Sequence, residues 1–258
     1  MSRPVVLELD NVSMHFGGIK AVQELSFQLR EGEIFALIGP NGAGKTTAFN
    51  AITGVYSPTF GEVRAFGKKL NGLKTHQVTR LGLARTFQNI RLFKDLGVRD
   101  NILIALDRAG GAPIWKSLLR PRKYFEEEAA KNRKVDELLE ILNLHSASTK
   151  HEEAKNLPYG VQRRLEIARA IATGAKLLLL DEPAAGMNGQ ETMQLMETIR
   201  FIRDQFKLTI LLIEHDMRLV MGISERIAVL EYGKKIAEGN PKEIQSDKNV
   251  IRAYLGTE

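Results

Sequence analysis

Apolar and polar positions along the chain fall into two alternating kinds of stretch. Short runs that are almost wholly apolar, Ile34 to Ile38, Leu177 to Leu180 and Thr209 to Ile213, predict strands buried on both faces. Helix-compatible stretches lie between them. Thr46 to Ile52 is one. Tyr159 to Thr173 places Leu165, Ile167, Ala168, Ile171 and Ala172 on one face, and another helix runs from Gln190 to about Phe206. Apolar strands alternating with helices predict a mainly parallel sheet.

Other segments alternate apolar and polar residues, as half-buried strands do. Val5 to Leu9 and Leu25 to Leu29 flank a turn at Phe16-Gly17-Gly18, and Gly61 to Phe66 follows the Ser57-Pro58 break. They predict a small antiparallel sheet beside the parallel core. A hairpin, Ile227 to Glu231 and Lys234 to Glu238, turns at Tyr232-Gly233, and helical turns close the chain near Tyr254-Leu255. In the middle third, Val98 to Leu106 and Tyr124 to Leu142 read as helices, separated by a loop from Arg108 to Pro113 and a stretch around Trp115. Strands resume afterwards. The expectation is therefore one α/β domain, with a core of residues 1–94 and 155–258 and a helical subdomain over 95–154.

Composition narrows the class. A hydrophobic content of 43% over 258 residues suits a globular chain with a real core. There is no cysteine, which excludes disulfides and cysteine metal sites and fits a reducing compartment. No apolar run approaches the roughly 18 residues of a membrane span, and the N-terminus lacks a signal-peptide h-region. The protein is expected to be soluble or peripheral. Its net charge of +6 is uneven: eight Lys/Arg and no acid from Arg64 to Lys94, then seven against three Glu from Lys116 to Lys134. Such a bias suits nucleic acid, anionic lipid, an acidic partner or an ordinary solvated face.

The strongest chemical signal is Gly39-Pro40-Asn41-Gly42-Ala43-Gly44-Lys45-Thr46, followed by Thr47, between a strand and a helix. It fits G-x-x-x-x-G-K-[ST], whose glycines turn backbone N–H groups around phosphate oxygens while the helix aims its positive end at the same anion. Lys45 would reach the β- and γ-phosphates, and the Thr46 hydroxyl would hold Mg²⁺. Asp181-Glu182 ends a strand of four leucines. Asp181 is assigned to the metal and Glu182 to the water as general base. His215 ends the next strand, where ligands of open α/β sheets collect. It would bond the γ-phosphate and orient the water.

These motifs resemble the nucleotide-binding subunits of ABC transporters over essentially the whole chain. The resemblance implies a P-loop ABC-ATPase fold: a mainly parallel core sheet with an antiparallel β subdomain and a helical subdomain. It also implies roles for further residues: Gln88 at the junction of Mg²⁺ and membrane subunit, Phe16 stacking on adenine, and His215 as switch histidine. The signature that meets the partner's ATP, usually Leu-Ser-Gly-Gly-Gln, reads Leu157-Pro158-Tyr159-Gly160-Val161 and lacks the Ser hydroxyl. The loop after Asp181-Glu182 ends in Asn188, where many members carry Asp. Arg85-Thr-Phe-Gln-Asn-Ile-Arg-Leu-Phe93, Arg163 to Arg169, Asp181 to Gly186, Ile213 to Met217 and Ile251 to Gly256 resemble the LivG-type ATPases of branched-chain amino acid importers.

The expected function is ATP binding and hydrolysis energising such an importer, with ATP and Mg²⁺ bound. The chain would sit peripherally on the cytoplasmic face of the inner membrane. Expected partners are a second, F-type ATPase subunit in a heterodimer, two transmembrane permease subunits and, indirectly, a periplasmic or extracellular substrate-binding protein. No nucleic acid is expected. A urea or short-chain amide importer shares this architecture. A soluble ABC-type ATPase acting on nucleic acid or ribosomes is the rival of another class, but its usual tandem ATPase units or long coiled coils are not visible.

Overall fold

The computed structural model describes residues 3–107, 122–149 and 152–255. The stretch around Trp115, including Arg120, and the Arg108 to Pro113 loop lie outside the described residues. The chain splits into two compact units, Met1–Gln88 with Lys176–Glu258, and Asn89–Ala175.

The first unit is built on a six-stranded sheet. Its strands are β3 (Ile34–Ile38), β6 (Leu83–Arg85), β7 (Leu177–Asp181), β8 (Thr209–Ile213), β9 (Arg226–Glu231) and β10 (Lys234–Gly239), in the order β10-β9-β3-β8-β7-β6. All neighbours run parallel except the β9–β10 hairpin. Every residue of β3, β7 and β8 is buried, which is why these strands read as unbroken apolar runs. Leu37 pairs with Ile213, and Ile213 with Asp181, so the carboxyl ends of β3, β8 and β7 lie side by side. The phosphate-loop sequence, Asp181-Glu182 and Glu214-His215 therefore leave the sheet at one edge.

A second sheet, in the order β2-β1-β4-β5, joins β1 (Val5–Phe16), β2 (Ile19–Arg30), β4 (Phe60–Ala65) and β5 (Lys68–Lys69), all antiparallel. The two half-buried stretches seen in the sequence are parts of the twelve-residue strands β1 and β2. Register shifts at Leu9/Val12 and Met14/His15 interrupt the alternation, so the pattern shows only their ends. The inner faces of both sheets share one core, including Leu7, Leu29, Leu37, Phe49 and Leu211, with Phe27 stacked on Phe35 at 5.2 Å.

Helix α1 (Lys45–Ile52) follows β3, and α2 (Thr75–Arg80) precedes β6. In the second unit lie α3 (Val98–Asp107), α4 (Arg122–Ile141), α5 (His145–Thr149) and α6 (Tyr159–Ala172). This unit is wider than the expected 95–154, because α6 packs on α3 and α4. Buried Asn101 fastens its loop, accepting from Phe93 N–H and donating to the Phe93, Leu96 and Gly97 carbonyls. Back in the first unit come α7 (Gly189–Phe206), α8 (Met217–Ile223), α9 (Pro241–Ser246) and α10 (Lys248–Leu255). Asn188, Asp216 and Asn240 cap α7, α8 and α9 with side-chain oxygens, satisfying amides that have no partner within the helix. Among the described residues no helix is long and apolar enough to cross a membrane.

Candidate ATP-hydrolysing site

The loop from Gly39 to Gly44 wraps the N-terminus of α1. Two of its glycines have no substitute. Gly39 has φ +149° and a Cβ there would lie 2.1 Å from the Leu230 carbonyl oxygen; Gly44 has φ +100°, with the Ala21 oxygen 2.4 Å away. No side chain caps α1, so its first amides face the loop. Lys45 is buried and donates from Nζ to the carbonyls of Gly39 (2.7 Å) and Pro40 (2.9 Å). Burial pushes its pKa down, partly opposed by the Glu182 and Asp181 carboxylates.

An open groove of about 520 Å³ runs along this loop. Asn41, Gly42, Ala43, Gly44, Lys45, Thr46 and Thr47 line it, together with Ile19, Lys20, Ala21, Gln23, Glu182 and Tyr232. Its size and its crown of amides suit a nucleotide triphosphate chain. Phe16 does not line the groove; it stands 42% exposed, edge-on to Tyr56 at 5.2 Å. Tyr232, 83% exposed at the β9–β10 turn, does line it. That turn is tied to the loop by Gly233 N–H donating to the Ala43 carbonyl at 3.0 Å.

Glu182 follows β7 in the left-handed region, at φ +47°, with its N–H bonded to the Ile213 carbonyl. Such a conformation is costly for a residue with a Cβ and persists where the surroundings enforce it. It aims the carboxylate into the groove. Gln88 Nε2 donates to Glu182 Oε2 at 2.8 Å, and His215 Nδ1 stands 3.7 Å from the same oxygen. Two side chains, Gln88 from beyond β6 and His215 from beyond β8, thus converge on one oxygen of the carboxylate that follows β7.

Two features escape sequence reading. Buried Glu214 accepts from the N–H groups of Ala184, His215 and Asp216, so it fixes the backbone on both sides of the site. An acid at a strand end gives no hint of that. Asp181 is not open on both oxygens: Oδ2 is 2.7 Å from Arg85 Nη2.

In the second unit, Pro158 occupies the N-cap of α6 and offers no capping side chain, so the amides of the first turn are unsatisfied by the cap. Tyr159 accepts a hydrogen bond on its hydroxyl from the buried guanidinium of Arg163, which also pairs with Glu166 at 2.8 Å.

The phosphate-loop sequence, the strand-end acid pair and the cluster of Gln88 and His215 on Glu182 define a P-loop nucleotide-hydrolysing domain. The model of the family described as "ABC transporter" matches residues 22–185, and that of the branched-chain amino acid ATP-binding cassette transporters matches residues 234–258. The high-affinity branched-chain amino acid transport ATP-binding protein LivG of Salmonella typhimurium is 46% identical over 256 residues, 99% of each chain. BraF of Pseudomonas aeruginosa, of the same description, is 43% identical over the same share. The crystal structure of MJ1267 in its ADP conformation, an ATP-binding cassette of an ABC transporter, superposes with a TM-score of 0.83 at 28% identity, covering 98% of this chain and all of that one. The chain belongs to the ABC transporter family, among its ATP-binding subunits, which are ATPases.

Proposed function

We propose that the chain hydrolyses ATP to drive import of branched-chain amino acids. The observation that carries the substrate class is similarity at 43–46% identity over nearly the full length to proteins of that transport system. Lys45 and the loop amides would hold the β- and γ-phosphates. Glu182, held by Gln88, would accept a proton from the attacking water as its oxygen bonds to the γ-phosphorus and the bond to the β-phosphate oxygen breaks. His215 would orient that water. Phe16 would meet the adenine.

The donors near the loop fit Mg²⁺: a Thr46 hydroxyl, an Asp181 carboxylate and a Gln88 amide oxygen, all hard oxygen ligands. Among the described residues no group of three or more His, Cys, Asp or Glu could hold a metal, and Mg²⁺ at a nucleotide is commonly held by one or two carboxylates with phosphates and water. When bound, Mg²⁺ would neutralise charge on the phosphate oxygens.

Two such subunits would close head to tail, each offering Leu157-Pro158-Tyr159-Gly160-Val161 at its α6 N-terminus to the other's ATP. The missing Ser hydroxyl favours a heterodimer with a subunit that keeps the full signature. The pair would sit peripherally on the cytoplasmic face of two membrane-spanning permease subunits fed by a substrate-binding protein. Reconstitution with two permease subunits and a substrate-binding protein of such an importer tests this. ATP-dependent uptake of labelled leucine, isoleucine or valine is expected; uptake of urea or short amides instead would contradict the substrate reading.

A further inference from the structure

Arg85 makes a buried three-way junction beside the phosphate loop that the steps above do not use. Its strand, β6, is the three-residue edge of the parallel sheet, paired so that Arg85 lies opposite Leu179. From there the side chain reaches along β7. Nη2 meets Asp181 Oδ2 at 2.7 Å, and the two side chains are 7% and 6% exposed. Nη1 turns the other way, donating to Asn50 Oδ1 at 2.8 Å and approaching Thr53 Oγ1 at 3.4 Å. The guanidinium plane is packed between aromatic rings, 5.4 Å from the Phe49 centroid and 4.9 Å from that of Phe87. Its remaining nitrogen, Nε, is buried with no hydrogen-bond partner among the described residues.

A buried ion pair is weak support for stability, because desolvating both charges costs about what their attraction returns. Its geometry suggests another use. Phe49, Asn50 and Thr53 lie on α1 or at its end, the helix that begins with Lys45-Thr46. Asp181 ends β7. The two arms of one rigid, planar fork thus tie the element bearing the Thr46 hydroxyl to the carboxylate of Asp181. With Oδ2 taken by Arg85, no hydrogen bond from the described residues occupies Oδ1. Given the Mg²⁺ reading above, we infer that Arg85 is a positioning residue for the metal. It holds Asp181 in one rotamer relative to the helix that bears Thr46, leaving a single carboxylate oxygen that would serve the metal. Partners of this kind, which orient a ligand without touching the metal, are commonly worth about 10–100-fold in metal affinity.

The test is Mg²⁺-dependent binding of a fluorescent, non-hydrolysable ATP analogue to the full chain, measured across a Mg²⁺ titration and in EDTA. For Arg85→Met the Mg²⁺ concentration for half-maximal effect should rise about 10–100-fold, with affinity in EDTA unchanged. Arg85→Lys keeps the charge but not the fork, and should fall between wild type and Arg85→Met. A Mg²⁺ requirement within about two-fold of wild type, well short of the usual effect, would overturn the inference. So would a lowered requirement, or parallel losses with and without Mg²⁺, which is what packing alone would give. Should Arg85→Met fail to fold, Asn50→Ala, which removes only the Nη1 anchor, is read the same way: a raised requirement supports the role and an unchanged one overturns it. A wild-type chain whose binding ignored Mg²⁺ would remove the metal reading itself, and this inference with it.

Discussion

The side-chain amide of Gln88 donates to the carboxylate of Glu182 at 2.8 Å. The family resemblance places Gln88 at the metal; here its NH₂ group holds the Glu182 carboxylate, and its carbonyl oxygen is the end suited to Mg²⁺. With His215 at 3.7 Å on the same oxygen, the Glu182 carboxylate is steered from two sides. Gln88→Ala and His215→Ala should each lower kcat by about 10²-fold, the usual scale for a misplaced reacting group. The KM for ATP should change little. Steady-state kinetics on the assembled transporter checks this; a rise in KM at constant kcat would assign both residues to binding instead.

Phe16 is exposed and edge-on to Tyr56, so its removal leaves no core cavity. If it stacks on adenine, Phe16→Ala should weaken ATP binding by about 1–3 kcal/mol, by analogy with base–aromatic stacking. The melting temperature should hold. A lowered melting temperature at unchanged ATP affinity would make it a packing residue.

Glu214 offers the acceptors for three backbone amides. Glu214→Gln turns an NH₂ toward at least one N–H donor. Stability should fall by about 1.5–3 kcal/mol, the scale of a hydrogen bond to a charged group. Urea denaturation reads the loss, and activity should fall with it because the His215 backbone is released. Unchanged stability would mean that water replaces the carboxylate.

Burial holds the Glu33 carboxyl above its usual 4.5, partly offset by the Arg30 amide and by Arg226. A folded-state pKa above the unfolded value means the charged form costs stability at neutral pH. That cost is relieved as pH falls through the folded pKa toward 4.5. The stability of Glu33→Gln relative to wild type should therefore decline as pH is lowered over that window. A difference that stayed constant, or grew on acidification, would contradict the assignment.

Much of the architecture was legible because burial on both faces writes itself as apolar runs: β3, β7 and β8 stand where Ile34 to Ile38, Leu177 to Leu180 and Thr209 to Ile213 foretold. Strand β6 was not legible. Three residues at a sheet edge are too few for a period, and its functional side chain, Arg85, finds its partner 96 positions away. Helix α2 was missed because it buries only Val78. The motifs named Lys45, Asp181, Glu182 and His215 but not their neighbours. The hold of Glu214 on the backbone and of Arg85 on Asp181 depends on register between strands, which no local pattern encodes. Likewise α6 reads as a core helix in sequence, yet packs with the helical unit.

The central claim, that Glu182 accepts the proton of the attacking water, is tested most directly by Glu182→Gln in the purified, assembled transporter. Glutamine keeps an oxygen for the Gln88 amide but cannot take the proton. ATP binding should persist while hydrolysis falls by about 10²–10⁴-fold, the usual contribution of a general base. Hydrolysis near the wild-type rate, with ATP bound normally, would contradict it.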